Sequence, residues 1–290
     1  MIFSAPRFAP SGDRYLIVQF GDDATLALNF MALGLDAALK ASGTKGVVDT
    51  VACYNSLLVE YEPDDIAYGD LERELARLIE GLGPMSELVI ESRILHLPAM
   101  YADPWTKACI EDYRHNIADR PYDPDHVAAL NGLKDGAHLG RVHSATEHWA
   151  VTVGSFPGLP LLRPLDPRCT LTAPKYDPPR TWTPQGALGL GGVSTSIYTL
   201  RSPGGYQLIG RTPVPVFDPT QRSPAFKGEV VLLKAGDRIK FRPVDQDEFE
   251  AIEAAVAEGR YVYELIGYQK FSVAAHEAWA KRLEGGPPPP

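Results

Sequence analysis

One glycine-rich stretch, residues 174–212, holds the side chains best suited to chemistry. Its cationic, amide and phenol groups are Lys175, Arg180, Tyr198, Tyr206, Gln207 and Arg211. Glycine weakens a strand unless another backbone or a ligand has to approach closely. A glycine-rich wall beside these groups predicts a site for a small polar anion or amide. Tight turns with surface arginines explain the same composition, and composition alone leaves the two interpretations open.

A second group of reactive side chains, His143, Glu147 and His148, lies in the run HSATEH. This order differs from the HExxH pattern, which places two zinc ligands and a base on one helix. The order HSATEH instead favours a surface turn, and we predict no metal site at these three residues. The sequence also lacks a GxGxxG, a P-loop and a GxSxG motif, so the common nucleotide-binding and hydrolase sites are not expected.

The elements that position these residues change in character along the chain. In the first hundred residues the predicted elements are strands at 14–20, 46–54, 56–62 and 87–99 and helices at 24–42 and 69–82. Their β-α-β-β-α-β order is that of a ferredoxin-like domain. Helices are also predicted at 106–118 and at 123–133, where Asp123-Pro124 is typical of a helix start. From residue 139, short apolar runs with regular Gly/Pro turns indicate a barrel or sandwich.

The composition argues against several classes of protein. The net charge of −9 disfavours binding to nucleic acid or to anionic lipid. Three cysteines without a CxxC pair are typical of a reducing compartment. The chain opens without an apolar signal region, and no run approaches the length of a membrane span. We therefore expect a cytoplasmic protein with neither nucleic acid nor membrane as partner.

Several long motifs carry a family resemblance. The chain resembles allophanate hydrolase subunit 1, the KipI-type family, in GDRYLIVQFGD, YNSLLVEYEP and SPGGYQLIGRTPVPVFDP. It is most similar to the carboxyltransferase region of urea carboxylase in RILHLPAMYADPWTKACIEDY, in LDPRCTLTAPKYDPPRTWTPQGALGLGG and in the tail FRPVDQDEFEAIEAAVAEGRY. These motifs extend over nearly the whole chain, about residues 10–284.

The resemblance implies an α+β fold, with a ferredoxin-like N-terminal domain and a cyclophilin-like β-barrel C-terminal domain. Together with the predicted elements it divides the chain into four parts. These are a ferredoxin-like domain at 1–98, a helical connecting segment at 99–138, a cyclophilin-like barrel at 139–245 and a helical C-terminal extension and tail at 246–290.

The resemblance also implies an activity. The expected protein is a carboxyltransferase subunit of a biotin-dependent, urea-carboxylase-like complex, which moves the carboxyl of N-carboxybiotin onto a urea- or guanidine-like amide nitrogen. Biotin would be carried on a partner chain or domain. The implied partners are a subunit 2 (KipA-type) homologue, a biotin carboxylase and a biotin carrier. Two alternatives stay open: a subunit of an ATP-dependent 5-oxoprolinase-like lactamase, and a non-catalytic KipI-like regulatory protein.

Carboxyl transfer suggests roles for the candidate residues, because the departing ureido group becomes negative and the acceptor amide must lose a proton. The catalytic candidates are His143, Lys175, Tyr198 and Arg211. The substrate-binding candidates are Arg180, Gly191, Gly192, Gly205 and Gln207. For each cation, a structural salt bridge is the open alternative. Val193 and Ser194 replace an amide side chain expected in the short family members, which leaves the acceptor open.

Overall fold

The protein, described here as a computed structural model covering residues 1–154 and 156–290, contains two compact units. The first comprises Met1–Ser92 and Tyr268–Lys281, and the second comprises Arg93–Gly267 and Arg282–Pro290. The first unit therefore ends six residues before residue 98, and part of the C-terminal extension belongs to it. None of the helices in the described residues has the length and apolar character needed to cross a bilayer.

The first unit is built on a four-stranded antiparallel sheet with two helices. Its elements are β1 (Ile2–Pro10), β2 (Tyr15–Gly21), α1 (Leu26–Ser42), β3 (Val47–Ala52), β4 (Ser56–Tyr61) and α2 (Tyr68–Gly81). The strand order is β1-β2-β4-β3. Helix α1 begins where the Thr25 hydroxyl accepts from the Leu28 N–H, and it ends at Gly43, which has a φ of 62°. Its apolar face packs on the sheet through residues such as Leu28 and Leu35, which are fully buried.

One strand of the predicted ferredoxin-like order lies elsewhere. The strand predicted at 87–99 is β5 (Val89–Tyr101), which joins the second sheet, and β1 pairs with β2 in its place. β1 is not predicted from the sequence, because its Pro6 and Pro10 are unusual in a strand. An edge strand tolerates proline, since its outer N–H groups have no strand to pair with.

The second unit is organised around a larger mixed sheet. Its helices are α3 (Pro104–Asn116), α4 (Asp123–Leu130), α5 (Gly136–Ser144) and α6 (Gln246–Ala257). Its further strands are β6 (Glu147–Val153), β7 (Pro160–Pro164), β8 (Ala187–Gly191), β9 (Ser194–Ile197), β10 (Gln207–Arg211) and β11 (Arg238–Pro243). β12 (Glu264–Ser272) and α7 (Val273–Leu283) lead the chain back to residues of the first unit. The protein is thus a mixed α/β chain with two sheets.

The second sheet has the order β10-β8-β9-β7-β6-β11-β5-β12. β10 also pairs with β5, through Gly210 opposite Tyr101 and Arg211 opposite Met100. This pairing joins the first strand of the order to the seventh. Its core is apolar and buried, with members including Leu97, Leu162, Leu188, Ile209, Ile239 and Phe241. The segment between β7 and β8 contains few regular elements. It holds Lys175 and Arg180, and its backbone pairs with residues 204 and 205, just before the start of β10.

Candidate functional site

A buried carboxylate, Asp123, organises a polar cluster in the second unit. The Tyr176 hydroxyl lies 2.6 and 2.7 Å from its two oxygens, and the Leu208 N–H donates to Oδ2 at 2.6 Å. Arg120 Nη2 lies 3.3 Å from Oδ1. Burial raises the pKa of Asp123, while these donors and the nearby arginine act in the opposite direction. Asp123 therefore ties the start of α4 to the 174–183 segment and to β10.

Arg120 lies at the partly exposed edge of this cluster. Its guanidinium carbon is 3.3 Å from the centroid of the Tyr176 ring, a cation–π contact. Its Nη2 donates to Gln207 Oε1, and Gln207 Nε2 donates to the Pro174 carbonyl at 2.6 Å. Both polar atoms of the Gln207 amide are thus used within the chain. The Arg120 side chain is 14% exposed, and its Nε has no hydrogen-bond partner among the described residues.

Arg180 places a second guanidinium beside the same tyrosine. Its carbon lies 4.4 Å from the Tyr176 ring centroid, and the residue is only 2% exposed. Nη1 donates to the Tyr206 carbonyl at 2.7 Å, and Nη2 lies 3.3 Å from the Tyr198 hydroxyl. In residues 1–154 and 156–290, no carboxylate forms an ion pair with it. Because arginine keeps its proton at any ordinary pH, Arg180 is a fixed positive charge inside the protein.

The glycine wall is present, but aromatic rings of the chain itself lie against it. A Cβ at Gly191 would stand 2.5 Å from Tyr206 Cε1, and one at Gly189 would stand 2.8 Å from Tyr206 Cβ. A Cβ at Gly204 would likewise stand 2.5 Å from Tyr198 Cε1. These glycines therefore make room for two tyrosines, whose hydroxyl and carbonyl groups hold Arg180.

The other two glycines of the predicted site serve the backbone. Gly192 forms the turn between β8 and β9 with a φ of 61°, a conformation that side chains rarely adopt. The Gly205 carbonyl accepts from the Tyr176 N–H at 2.6 Å, which anchors the tyrosine that both arginines contact.

Cations and aromatic rings continue from the cluster onto the surface. Lys175 is exposed, and its Nζ lies 5.3 Å from the Tyr206 ring centroid. Arg201 is exposed over the Trp182 ring at 4.5 Å, and Trp182 Nε1 donates to Asp112 Oδ2 at 2.8 Å. We call Lys175, Arg201, Trp182 and Tyr206 the basic rim. It places two exposed cations, Lys175 and Arg201, beside aromatic rings on a chain with a net charge of −9.

Two predicted catalytic residues have their contacts outside this cluster. The surface turn predicted for HSATEH is wrong, because His143 lies in α5 and is buried between the Tyr101 hydroxyl, 2.8 Å from Nδ1, and the Thr195 hydroxyl, 2.9 Å from Nε2. Burial lowers the pKa of His143 well below its usual range, so the ring is neutral. Arg211 lies at the opposite end of β10 from Gln207, about 13 Å away at the usual strand rise.

Arg211 is held by groups at its own end of β10. Its Nε donates to the Gln185 carbonyl at 2.8 Å, and its Nη2 forms a 2.8 Å ion pair with Glu253 of α6. The structure therefore brings Lys175, Arg180, Tyr198 and Gln207 together with three glycines, and it places His143 and Arg211 apart from them.

Sequence reasoning missed three central members of the cluster: Arg120, Asp123 and Tyr176. Helix α4 begins at Asp123 as the sequence predicts, but Tyr122 occupies the cap position and the Asp123 side chain accepts from the Tyr176 hydroxyl instead. In the described residues, no three His, Cys, Asp or Glu side chains form a metal-binding group.

The family model of the carboxyltransferase domain, subdomain C and D, matches residues 6–227. The chain is 30% identical to urea amidolyase of Saccharomyces cerevisiae over 88% of its own length and 14% of that relative. It is 30% identical to a putative urea carboxylase of Emericella nidulans over 96% of its length and 23% of the relative. It is 25% identical to a 5-oxoprolinase subunit of Bacillus subtilis, with 83% of this chain and 93% of that relative covered.

The fold comparison agrees with the sequence comparison. The crystal structure of Kluyveromyces lactis urea carboxylase matches with a TM-score of 0.83 and 26% identity, over 97% of this chain and 26% of that one. The chain thus spans about a quarter or less of the urea carboxylase and urea amidolyase chains it matches. The resemblance inferred from the motifs is confirmed: the chain belongs to the carboxyltransferase-domain family of subdomains C and D.

Proposed function

We propose that this chain is a carboxyltransferase subunit of a biotin-dependent, urea-carboxylase-like complex. The observation that carries the proposal is the pair of guanidinium groups, Arg120 and Arg180, on one tyrosine beside a buried carboxylate. Such a pair suits a reaction in which negative charge develops on a carboxyl or ureido oxygen. The 30% identity to urea amidolyase and to a putative urea carboxylase supports the same reaction class.

Some residues of the cluster would contact the substrate, and others would position those that do. Arg120 and Lys175, which solvent reaches, would bind the negative oxygens. Arg180, which is buried, would add a fixed positive charge from inside the protein, and the Tyr198 hydroxyl would hold its Nη2 in place. Gln207 would position Arg120 rather than touch the substrate, since both ends of its amide are already bonded.

Proton transfer from the acceptor amide needs a base, and Asp123 is the candidate in this cluster. Its pKa is raised by burial, which makes the carboxylate a better proton acceptor. The Tyr176 hydroxyl donates to Asp123, so the tyrosine oxygen would take the proton from the acceptor while its own hydroxyl proton passes to Asp123.

Biotin on a partner chain or domain would supply the carboxyl group as N-carboxybiotin: the carboxyl would move from the ureido nitrogen to the acceptor nitrogen, and the proton lost by the acceptor would be balanced by one returned to the ureido nitrogen. The positive charges of Arg120, Arg180 and Lys175 fit an anionic carboxyl group. The family name specifies subdomains C and D, and we propose that a subunit 2 (KipA-type) partner completes the site at the basic rim. A biotin carboxylase and a biotin carrier complete the proposed complex.

The proposal extends to the fold. The additional β10–β5 pairing supports closure of the second sheet as a cyclophilin-like barrel. The elements β2, α1, β3, β4 and α2 support a ferredoxin-like first unit, in which β1 takes the fourth strand position.

The test is reconstitution with a subunit 2-type homologue, a biotin carboxylase and a biotin carrier. The measurement is ATP-dependent incorporation of labelled bicarbonate into urea or guanidine. We expect Arg120→Ala to lower kcat/KM by about 10²–10³, the scale for loss of one oxyanion donor. Arg141→Ala is the matched control, because Arg141 is exposed on α5 and makes no ion pair in the described residues. Full activity of Arg120→Ala would contradict the proposed site.

A second candidate function is that of a 5-oxoprolinase-like subunit. It is favoured by one observation, the match to 93% of the length of the Bacillus subtilis 5-oxoprolinase subunit. The same reconstitution decides between them, because ATP-dependent opening of 5-oxoproline without biotin or bicarbonate would support the second function and overturn the first.

A further inference from the structure

A separate cavity of about 360 Å³ lies in the second unit, beneath the proline-rich segment 213–219. Much of its wall is apolar and comes from Ile197, Leu200, Val214, Val216, Phe217 and Val256. Polar groups join this wall from Arg211, Asp218, Arg222 and Tyr261. Tyr198 belongs both to this cavity and to the polar cluster. The volume suits a small organic molecule rather than a macromolecule.

Two acceptors in the cavity wall, the Asp218 carboxylate and the Pro215 carbonyl, already accept hydrogen bonds from donors of the chain. Asp218 Oδ1 accepts from the Thr220 N–H at 2.9 Å and from its hydroxyl, and Oδ2 accepts from the Arg222 N–H at 3.2 Å. Burial acts to raise the pKa of Asp218, but these bonds outweigh it and lower the pKa, so the carboxylate stays ionised. The Pro215 carbonyl accepts from the Tyr263 hydroxyl at 2.6 Å.

Several donors around the cavity are uncommitted. Arg222 uses Nε for the Thr220 hydroxyl at 3.0 Å, and its two terminal nitrogens have no partner among the described residues. Arg211 uses Nε and Nη2, which leaves Nη1 without a partner in the same residues. The Tyr261 hydroxyl, half-buried in the wall, is likewise unpaired within residues 1–154 and 156–290. The wall therefore offers N–H and O–H groups that no acceptor of the described residues occupies.

We propose that this cavity binds a small carboxylate with an apolar body, through Arg222 and the free nitrogen of Arg211. A planar guanidinium pairs with a carboxylate through two parallel hydrogen bonds. The apolar wall would bury the rest of the molecule, which a bare inorganic anion would leave unfilled. The proposal concerns a site outside the Arg120–Arg180 cluster, and it does not depend on the proposed function.

The test uses the full chain alone, titrated in a calorimeter with benzoate, hexanoate and the uncharged control benzamide. We expect saturable binding of both carboxylates, and benzamide weaker by at least about tenfold. Arg222→Ala should weaken benzoate by about tenfold, and Arg222→Lys should weaken it less. Arg222 is exposed, so both variants should fold, and circular dichroism checks this. Arg141→Ala removes an exposed arginine outside the cavity and should leave benzoate binding unchanged.

Three outcomes would overturn the carboxylate site: no saturable binding at millimolar benzoate, equal affinity for benzamide, or unchanged benzoate affinity in Arg222→Ala. An equal loss in Arg141→Ala would show general charge attraction instead of a site, and would also overturn it. Neither biotin nor a partner takes part in the titration, so its failure leaves the proposed carboxyltransfer untouched.

Discussion

Acidification is expected to destabilise the second unit through two buried histidines. His148 is 1% exposed, and its Nε2 donates to the His143 carbonyl at 2.8 Å. Its Nδ1 is buried without a partner among the described residues. The His143 ring lies 4.4 Å from the His148 ring, centroid to centroid, and Phe241 covers both. A proton on either ring would therefore be desolvated and next to the other imidazole.

The size of the effect follows from His148. Burial lowers its pKa from 6.5 to about 4. A difference of this size corresponds to roughly 3 kcal/mol, at about 1.4 kcal/mol for each tenfold change in acidity. The unfolded chain takes up the proton first as the pH falls below 6.5. The free energy of unfolding is therefore unaffected by this group above pH 6.5. It falls progressively between pH 6.5 and about pH 4, and below about pH 4 His148 causes no further loss. His143, whose pKa is also lowered, adds to the loss.

The assay is urea unfolding at pH values between about 7 and about 4, followed by circular dichroism. Carboxylates also titrate in this range, so the informative comparison is between the wild type and His148→Gln. Glutamine keeps a donor for the His143 carbonyl and cannot be protonated. We expect the wild type to lose roughly 3 kcal/mol more than the variant over this range. Parallel pH dependence in the two proteins, or an NMR titration of His148 with a midpoint near 6.5, would refute the reasoning.

Two further stability predictions concern a close-packed glycine and a buried ion pair. Gly191→Ala should lower the free energy of unfolding by about 1–3 kcal/mol, because the new methyl would overlap the Tyr206 ring. Gly69→Ala is the control: Gly69 lies in α2, where a new Cβ would have no atom nearer than 3.7 Å, so the change should be neutral or stabilising. Thermal unfolding of the two variants compares them. Arg93→Met should cost about 3–5 kcal/mol, because it leaves Asp237, 2% exposed, without its bidentate guanidinium. Replacing Asp237 by leucine as well should recover part of this loss in urea unfolding, and no recovery would contradict the ion-pair explanation.

Most secondary structure could be predicted, because its signals are local. The alternation in β2 and the cap and stop of α1, at Thr25 and Gly43, lie within or beside the elements they define. The partner of β2 could not be predicted in this way. β1 and the predicted strand at 87–99 both offer a strand edge, and the choice between them depends on which side chains the whole fold can bury.

The candidate cluster was predicted in part for the same reason. The motif around residues 174–212 carries the family resemblance and its polar groups, so Lys175, Arg180 and Gln207 were recognisable as candidates. Their roles were not, because a side chain's role depends on what it contacts. The Gln207 amide oxygen accepts a hydrogen bond from Arg120, a residue 87 positions away in the chain.

Local sequence patterns were enough to predict most helices, most strands and the family, and they marked residues 174–212 as a candidate segment; α5 was missed, because the sequence predicts β-structure from residue 139. Only the tertiary structure decided that β5 leaves the first sheet, that tyrosine rings fill the glycine wall, and that Arg120 and Asp123 join Arg180. The physical reason is that these outcomes are contacts between residues far apart in the chain. They depend on strand pairing, on helix placement and on which polar groups must be satisfied once buried, and no local pattern of residues encodes those conditions.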